Sequence, residues 1–310
     1  MNSKKTVLSE VGIGTWALGG EYWGEQKHSD SIKAIHAAIR EGFTLFDTAP
    51  VYGKGKSEQL LGQQLPNERD NLTISSKCFL KPNNQVEKSF NNSLKRLNTS
   101  YIDIFFIHWP SSKRDCRPMV ELLEDYRAQG KINHIGLSNF NKRDLDIARS
   151  TGKIDIVQNG YNLLWTADQS YFEYCTSLGI KTQSYATIAQ GLLTGKFSKE
   201  NPYKIGSDLR HNNTLFHKNN IQTVYKYLDR LKNIAISEDL SLYELTLAWT
   251  IKRPFLDSIL VGCRNRKQIE ALKSARGKKI SSRSADLITE LSEQFSKEII
   301  PYNNIFNHFY

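Results

Sequence analysis

GFTLFDTAPVYGKG, residues 42–55, is the stretch from which the fold and chemistry of this 310-residue chain are most directly read. Asp47 directly follows an apolar pair at which a buried strand would end, and Tyr52 lies in the loop that comes next. Taken alone, an Asp at a strand end is usually a cap or a turn former, and a Tyr in a loop usually packs against its neighbours. The two residues point to function only if other strands end in matching chemistry.

Two further strand ends supply that chemistry. LTISSKC, residues 72–78, is a β-branched run that brings Lys77 to its end, and IDIFFIHWP, residues 102–110, is an apolar run that closes on His108 and Trp109. A lysine inside a buried strand is costly unless a carboxylate pairs with it. We therefore predict that Asp47 is the partner of Lys77.

Together, Asp47, Tyr52, Lys77 and His108 describe a proton-transfer site. A phenol has a pKa of about 10, and lowering it toward about 7 takes roughly 4 kcal/mol of extra stabilisation of the phenolate. One ammonium group about 4 Å away in a partly screened site supplies about that much. The prediction is that Tyr52 is a general acid, Lys77 lowers its pKa, Asp47 keeps Lys77 charged, and His108 positions a carbonyl oxygen. The implied reaction is reduction of a carbonyl, or the reverse.

The whole chain alternates between strand-like and helix-like segments. Strands are predicted at residues 12–16, 45–48, 72–77, 102–108, 132–138, 154–158, 181–185 and 258–261. Helices are predicted at residues 57–65, 83–97, 117–129, 142–150 and 168–178, with another beginning near Arg266. Such alternation indicates parallel strands with helical crossovers, and eight strands are the number in an α/β fold of the (β/α)8 TIM-barrel type. In that fold the chemistry collects at the carboxyl ends of the strands.

Four longer motifs extend this pattern. FDTAPVYG, SLKRLNTSYIDIFFIHWP, GKINHIGLSNF and AQGLLTGKF occur in this order between about residues 12 and 275, and together they resemble the aldo-keto reductase superfamily. The resemblance implies a barrel that binds NADPH without a Rossmann fold and reduces an aldehyde or ketone. It identifies Asp47, Tyr52, Lys77 and His108 as the catalytic tetrad, and it places Trp16, Tyr52 and Trp109 in the substrate pocket.

The resemblance also implies the cofactor contacts. Ser138, Asn139 and Gln158 would hold the nicotinamide carboxamide, and Tyr185 would stack on the ring. Backbone N–H groups of the loop that contains Gly191 and Leu193 would bind the pyrophosphate. The full set of predicted cofactor contacts is Thr15, Trp16, Ser138, Asn139, Gln158, Tyr185, Gly191, Leu193, Gly262, Arg264 and Gln268.

The segment after the last strand favours NADPH over NADH. Asn265 can cap a helix that begins near Arg266, and a helix N-terminus attracts phosphate. Arg264 is predicted to grip the 2′-phosphate in bidentate fashion.

Two positions depart from the family pattern. Ala186 stands where the family has a serine, so that either the cofactor binds less tightly or the hydroxyl of Thr187 replaces the missing one. Leu272 stands where the family has an adenine-contacting asparagine.

The composition of the chain indicates which classes of molecule it binds. The net charge is +10, but the Lys and Arg residues are scattered along the chain without a nucleic-acid-binding motif, so we predict a small-molecule carbonyl substrate and no nucleic acid. No apolar window reaches the length of a membrane span, and no apolar run follows the first lysines, which predicts a cytoplasmic protein without a membrane partner. The four cysteines make no metal-binding pattern and are predicted to be reduced thiols.

One domain is predicted over residues 1–310, with a variable loop at about 197–220 and a C-terminal tail at about 298–310. The aromatic tail residues Phe306, His308, Phe309 and Tyr310 either shape the substrate pocket or pack against the barrel. Two other functions are weighed against the reductase. One is an NADPH-binding barrel that senses redox state with little turnover, and the other is an aldolase or isomerase that uses Lys77 as a Schiff base.

Overall fold

Eight parallel strands close into a barrel in chain order in the computed structural model, which describes residues 8–20, 23–204, 208–302 and 304–306. Each strand pairs with the next, and the first pairs with the last. The strands are β1 (Val11–Gly14), β2 (Leu45–Asp47), β3 (Thr73–Cys78), β4 (Ile102–Ile107), β5 (Ile132–Ser138), β6 (Ile156–Gly160), β7 (Lys181–Tyr185) and β8 (Ser258–Gly262). The predicted (β/α)8 fold is confirmed, and the predicted strand bounds are within two residues of those observed.

Helices connect the strands on the outside. They are α1 (His28–Arg40), α2 (Lys56–Gln64), α3 (Asn83–Leu97), α4 (Arg117–Ala128), α5 (Lys142–Arg149), α6 (Gln169–Ser177), α7 (Ile221–Ser237), α8 (Leu242–Ile251), α9 (Arg266–Arg276) and α10 (Ser282–Glu298). The predicted α3 has the observed bounds. Asn265 caps α9 as predicted, because its side chain accepts a hydrogen bond from the N–H of Gln268 at 3.0 Å. Helices α7 and α8, which lie between β7 and β8, were not predicted.

The alternation of side chains along β4 shows how the barrel is filled. Phe105 packs edge-on against Phe90 of α3, with ring centroids 5.0 Å apart, so it belongs to the layer between strands and helices. Ile104 and Phe106 point the other way and form a small cluster with Ile156 of β6 inside the barrel. The inside of the barrel is therefore a packed apolar core, and its polar residues are found toward the carboxyl ends of the strands.

Helices α2 and α3 approach each other closely at Gly62. A Cβ atom at this position would lie 2.2 Å from the carbonyl oxygen of Arg96 and 2.6 Å from the carbonyl carbon of Leu97. Both neighbours are backbone atoms and cannot rotate away. We expect Gly62→Ala to lower the free energy of unfolding by about 1–3 kcal/mol or more in chemical denaturation, although alanine is the better helix former.

Gly277 supplies the matched control for that substitution. It follows α9 with φ −88°, and no heavy atom lies within 4 Å of a Cβ built there. Gly277→Ala should therefore leave stability unchanged or raise it by less than about 1 kcal/mol. Equal effects of the two substitutions would contradict the close packing of α2 on α3.

Several further predictions concern features of the whole chain. No helix in the described part of the chain is long and apolar enough to cross a membrane. The four cysteines, Cys78, Cys116, Cys175 and Cys263, are free and buried. Among the residues that the structure describes, no group of three or more His, Cys, Asp or Glu side chains is arranged to hold a metal ion. The predicted tail residues His308, Phe309 and Tyr310 lie outside the described residues.

Candidate active site

A cavity of about 670 Å³ opens at the carboxyl ends of the strands. This volume is in the range usual for sites that bind small molecules and cofactors. Most of the predicted site residues line it, namely Trp16, Asp47, Tyr52, His108, Trp109, Ser138, Asn139, Gln158, Tyr185, Gly191, Gly262, Arg264 and Gln268. The other three, Thr15, Lys77 and Leu193, are completely buried.

Lys77 and Asp47 form the predicted buried ion pair. The Nζ of Lys77 lies 2.5 Å from Oδ1 of Asp47 and also donates to the carbonyl of Thr48 at 3.0 Å. The second carboxylate oxygen of Asp47 accepts a hydrogen bond from Ser75 at 2.7 Å and one from Gln158 at 2.9 Å. Burial lowers the pKa of Lys77, and the Asp47 carboxylate opposes that change. The pair is thus satisfied on both sides, as a buried ion pair requires.

The loop after β2 fixes Tyr52 above this pair. Gly53 makes the loop possible, because its φ is +60° and a Cβ there would lie 2.4 Å from the carbonyl oxygen of Gly19. The Tyr52 ring stacks on Trp16, with centroids 5.6 Å apart. Its hydroxyl lies 3.4 Å from the Nζ of Lys77. Hydroxyl, ammonium and carboxylate therefore form a continuous chain that ends at the cavity.

The pKa of Tyr52 shifts in the direction opposite to the one predicted. Burial raises the pKa of the Tyr52 phenol well above its ordinary value, and Asp47 and Tyr185 raise it further. The predicted decrease holds only for an ammonium that acts as an isolated charge. Because Asp47 lies only 2.5 Å from that ammonium, its carboxylate offsets much of the positive field at the hydroxyl. Tyr52 is consequently protonated at neutral pH.

His108 lies on the other side of the space in front of Tyr52. The two rings are 6.1 Å apart and nearly perpendicular, and Phe79 stacks on the imidazole with centroids 5.0 Å apart. The His108 side chain is buried and lines the cavity. Its neighbour Trp109 is also buried and lines the same cavity. An oxygen atom between the two rings would have the phenol of Tyr52 on one side and the imidazole of His108 on the other.

The three predicted carboxamide contacts are adjacent at the ends of β5 and β6. Ser138 donates to the side-chain oxygen of Gln158 at 3.4 Å, and Asn139 donates to Ser138 at 3.0 Å. Asn139 also accepts a hydrogen bond from the hydroxyl of Tyr185 at 2.5 Å. The amide of Gln158 donates to Asp47 and to Gln183, the latter at 2.7 Å. Gln158 therefore supports the Asp47 carboxylate, a contact that the sequence did not indicate.

Several buried polar residues around the ion pair were not predicted as site residues. Ser75 lies two positions before Lys77 on β3, and Gln183 lies two positions before Tyr185 on β7. Side chains two apart on a strand share a face, so this spacing was a usable signal. Thr15, which was predicted to contact the cofactor, bonds instead with its hydroxyl to the carbonyl of Asp47 and to Ser57, both at 2.7 Å.

The loop after β7 differs from the prediction. The N–H groups of Gly191 and Leu193, expected to bind pyrophosphate, both donate to the carbonyl of Ile188, at 2.9 and 3.3 Å. The loop is also strained, since φ is +57° at Ala186 and +53° at Gln190. The two departures noted in the sequence are resolved in part. The hydroxyl of Thr187 donates to the carbonyl of Leu260 at 2.9 Å, so it is not available to replace the serine hydroxyl that is missing at position 186. The side chain of Leu272 is completely buried.

Arg264 lines the cavity but does not present a free fork of donors. Its guanidinium donates to Gln26 at 2.7 Å and to the carbonyls of Trp23 and Glu25 at 2.9 and 2.6 Å. These three contacts fasten the β1–α1 loop over the start of α9. Three donors are thus used, and two of the five N–H groups of the guanidinium are left for a ligand.

Two further cations, Lys196 before the variable loop and Arg210 within it, join Arg264 at the cavity. Lys196 and Arg210 line it, and the charges of Arg210 and Arg264 add to burial in lowering the pKa of Lys196. Arg210 pairs with Asp208, donates to the carbonyl of Gln190 at 2.9 Å, and lies 5.0 Å from the ring of Trp23. The direction of Arg210 could not be predicted, because a loop has no periodicity that shows which side chains face the cavity.

Cys78 is a free thiol that follows Lys77 on β3. Its side chain is buried, and burial raises the pKa of its thiol. The thiol is therefore not activated by its neighbour.

Known proteins are similar in sequence to this chain over nearly its whole length. The sequence pattern of the "Aldo/keto reductase family" matches residues 10–293. The chain is 33% identical over 308 residues to aldo-keto reductase YhdN of Bacillus subtilis, covering 94% of this chain and 93% of the relative. It is 30% identical to the NADH-specific methylglyoxal reductase of Escherichia coli, covering 94% and 97%. The solved glycerol dehydrogenase AKR11B4 of Gluconobacter oxydans superposes with a TM-score of 0.85 at 27% identity, covering 97% and 96%.

Proposed function

We propose, for a chain that belongs to the aldo/keto reductase family, that Tyr52 is the general acid in the reduction of an aldehyde or ketone and that NADPH is the preferred hydride donor. As a member of this family the chain is an oxidoreductase that reduces a carbonyl group with a nicotinamide cofactor. The observation that carries the assignment of Tyr52 is the chain of contacts from its hydroxyl to Lys77 at 3.4 Å and on to Asp47 at 2.5 Å.

The roles of the side chains follow from this arrangement. A carbonyl oxygen between Tyr52 and His108 would be within reach of both rings. Bound NADPH supplies the hydride that reduces the carbonyl carbon. Tyr52, which is protonated at neutral pH, gives its proton to the oxygen as negative charge develops there. Lys77 stabilises the phenolate that remains. Asp47, which accepts a hydrogen bond from Gln158, holds Lys77 in place.

The residues present fit a dinucleotide with phosphate groups. Lys196, Arg210 and Arg264 bring three positive charges to one cavity, with Asp208 as the acid beside Arg210. A 2′-phosphate adds negative charge, and charge-assisted hydrogen bonds to phosphate are among the stronger polar contacts. This charge balance supports NADPH over NADH. Because one relative at 30% identity is named NADH-specific, the preference must come from residues of this chain rather than from the family.

Substitution of Arg264 tests the cofactor preference. We expect Arg264→Gln to raise the Kd for NADPH by about 10- to 100-fold, the usual size for a hydrogen bond to a charged group, and to change the Kd for NADH much less. Titration of protein fluorescence with each cofactor measures this, since Trp16 and Trp23 line the cavity.

Arg266→Gln is the matched control for charge. Arg266 is exposed, pairs with Glu270 at 2.6 Å, and lies two residues from Arg264. Its loss should leave both constants nearly unchanged. Equal weakening of NADPH and NADH in Arg264→Gln would contradict a role in choosing between them and would leave Arg264 only as the fastener of the β1–α1 loop.

Steady-state turnover separates the reductase from a redox-sensing barrel. The proposed reductase should oxidise NADPH in the presence of a simple aldehyde, whereas a sensor would bind NADPH with little turnover.

We also propose that the protein is cytoplasmic. Its four cysteines are free and buried, and thiols stay reduced in the cytoplasm.

A further inference from the structure

Three buried hydroxyl groups join the ends of β1 and β2 to the start of α2. They belong to Thr15, which follows β1, to Thr48, which follows β2, and to Ser57, the second residue of α2. All three side chains are completely or almost completely buried, and none of them lines the cavity. The hydroxyl oxygen of Ser57 lies 2.7 Å from that of Thr15 and 2.8 Å from that of Thr48. We call these three residues the hydroxyl cluster.

The direction of the hydrogen bonds in the cluster follows from the acceptor at its end. The hydroxyl of Thr15 lies 2.7 Å from the backbone carbonyl of Asp47, which can only accept, so Thr15 donates there. Three hydroxyl protons then serve three short contacts, which requires that Ser57 donates to Thr15 and that Thr48 donates to Ser57. The hydrogen bonds therefore lead from Thr48 through Ser57 and Thr15 to the backbone of Asp47.

The backbone of the cluster contacts the two residues between which the proton donor is held. The carbonyl of Thr48 accepts a hydrogen bond from the Nζ of Lys77 at 3.0 Å. The N–H of Ser57 donates to the carbonyl of Tyr52 at 3.3 Å. The hydrogen bond between the side chains of Thr48 and Ser57 thus connects the acceptor of Lys77 to the residue that holds the backbone of Tyr52.

The loop that carries Tyr52 depends on such contacts. Its next three residues, Gly53, Lys54 and Gly55, have φ values of +60°, +54° and +89°, and a left-handed conformation is unfavourable for the lysine. The hydroxyl of Tyr52 lies 3.4 Å from the Nζ of Lys77, which is near the upper limit for a hydrogen bond. A small displacement of the loop would therefore break the contact between phenol and ammonium.

We propose that Ser57 is the positioning residue that holds the hydroxyl of Tyr52 at the ammonium of Lys77. This proposal rests on the proposed function and adds to it a residue that lies outside the cavity. The side chain of Ser57 ties Thr48 to Thr15, and its backbone ties the loop at Tyr52. Loss of the Ser57 hydroxyl releases the loop and leaves every charge of the site in place.

Substitution of Ser57 tests this role by a split between kcat and cofactor binding. In Ser57→Ala, kcat for the reduction of hexanal at saturating NADPH should fall on the order of tenfold or more, because misplacement by about 1 Å can cost about 10²-fold. The Kd for NADPH should stay unchanged, since Ser57 does not line the cavity. An unchanged kcat would overturn the proposal.

Ser292→Ala is the matched control for loss of a buried serine hydroxyl. Ser292 is buried in α10, and its hydroxyl donates to the carbonyl of Ile288 at 2.8 Å. This substitution should leave kcat unchanged. A fall in kcat as large as that in Ser57→Ala would show that loss of a buried hydroxyl lowers turnover wherever it occurs, and would overturn the positioning role.

Thr48 provides a test in which the hydroxyl is removed and then restored. Thr48→Val removes the donor to Ser57 and keeps nearly the same shape, so it should lower kcat as Ser57→Ala does. Thr48→Ser keeps the hydroxyl and should keep the wild-type kcat. Equal losses in Thr48→Val and Thr48→Ser would show that packing of the methyl group, rather than the hydrogen bond, holds the loop, which would overturn the proposal.

A positioning residue has no further effect once the group that it positions is gone. Ser57→Ala should therefore lower kcat when Tyr52 is present and leave the residual kcat of Tyr52→Phe nearly unchanged, as expected for two residues that act as a unit. The same factor in both backgrounds would indicate general damage to the fold and would contradict a role that acts through Tyr52.

Nuclear magnetic resonance separates failure of this proposal from failure of the proposed function. With tyrosine labelled with carbon-13 at Cζ, the Tyr52 signal is identified by its loss in Tyr52→Phe and needs no substrate. Ser57→Ala should shift or broaden this signal, and Ser292→Ala should leave it in place. If wild type reduces no aldehyde and the signal still moves in Ser57→Ala, the reductase function fails and the positioning role stands. If hexanal is reduced and neither kcat nor the signal changes in Ser57→Ala, the reverse holds.

Discussion

Tyr52→Phe should lower kcat for aldehyde reduction by about two orders of magnitude or more and leave the Kd for NADPH nearly unchanged. The substitution removes only the hydroxyl that lies 3.4 Å from Lys77 and keeps the ring that stacks on Trp16. General acid catalysis by a positioned group typically contributes about 10²- to 10⁴-fold. Steady-state kinetics and a fluorescence titration of the same preparation measure the two quantities.

Tyr174→Phe serves as the control for loss of a tyrosine hydroxyl. The hydroxyl of Tyr174 bonds with Asp146 at 2.7 Å on the surface, so its removal should leave kcat unchanged. Retention of full activity in Tyr52→Phe would remove Tyr52 from the mechanism. A loss of NADPH binding as large as the loss of kcat would assign Tyr52 to the cofactor instead, because a residue that acts only in the transition state lowers kcat without weakening the ground-state complex.

Lys77→Met should both inactivate the enzyme and destabilise the fold. The substitution leaves the Asp47 carboxylate buried with only Ser75 and Gln158 as hydrogen-bond donors from side chains. Breaking a buried ion pair from one side typically costs about 3–5 kcal/mol, because an uncompensated charge remains. Chemical denaturation at neutral pH should therefore show a lower midpoint, and turnover should be lost because the phenolate of Tyr52 is no longer stabilised.

The double variant Asp47→Asn with Lys77→Met separates the two effects. It removes both charges, so most of the lost stability should return, since the neutral amide can still bond with Ser75 and Gln158. Activity should not return, because the double variant also lacks the ammonium. If the double variant is no more stable than Lys77→Met, the ion pair is not the reason for the loss of stability.

The sequence was sufficient for the fold and for the ion pair. The hydrophobic runs that end on Lys77 and His108 predict buried strands, and a buried lysine demands a carboxylate, which singles out Asp47 as a partner 30 residues earlier in the chain. These inferences depend on strand periodicity and on the cost of burying charge, both of which are local properties of the sequence.

The features that the sequence did not predict depend on charges and contacts distributed in space. The pKa of Tyr52 follows from how deeply the hydroxyl is buried and from the carboxylate beside Lys77, neither of which can be read from residue types. Arg264 was expected to grip a 2′-phosphate in bidentate fashion, but the sequence did not indicate that the β1–α1 loop folds back and uses three of its donors. Lys196 and Arg210 reach the cavity from a loop, where no periodic pattern indicates direction.

The most direct test of the reaction is to follow the transferred hydrogen. The enzyme is given hexanal and NADPH that carries deuterium at both positions of the nicotinamide C4, and the alcohol is analysed by mass spectrometry. Direct hydride transfer predicts one deuterium per alcohol molecule, on the former carbonyl carbon, while the hydroxyl proton comes from Tyr52, which is then reprotonated from water. Alcohol without deuterium, or no alcohol from any aldehyde while NADPH binds tightly, would contradict the proposed carbonyl reductase.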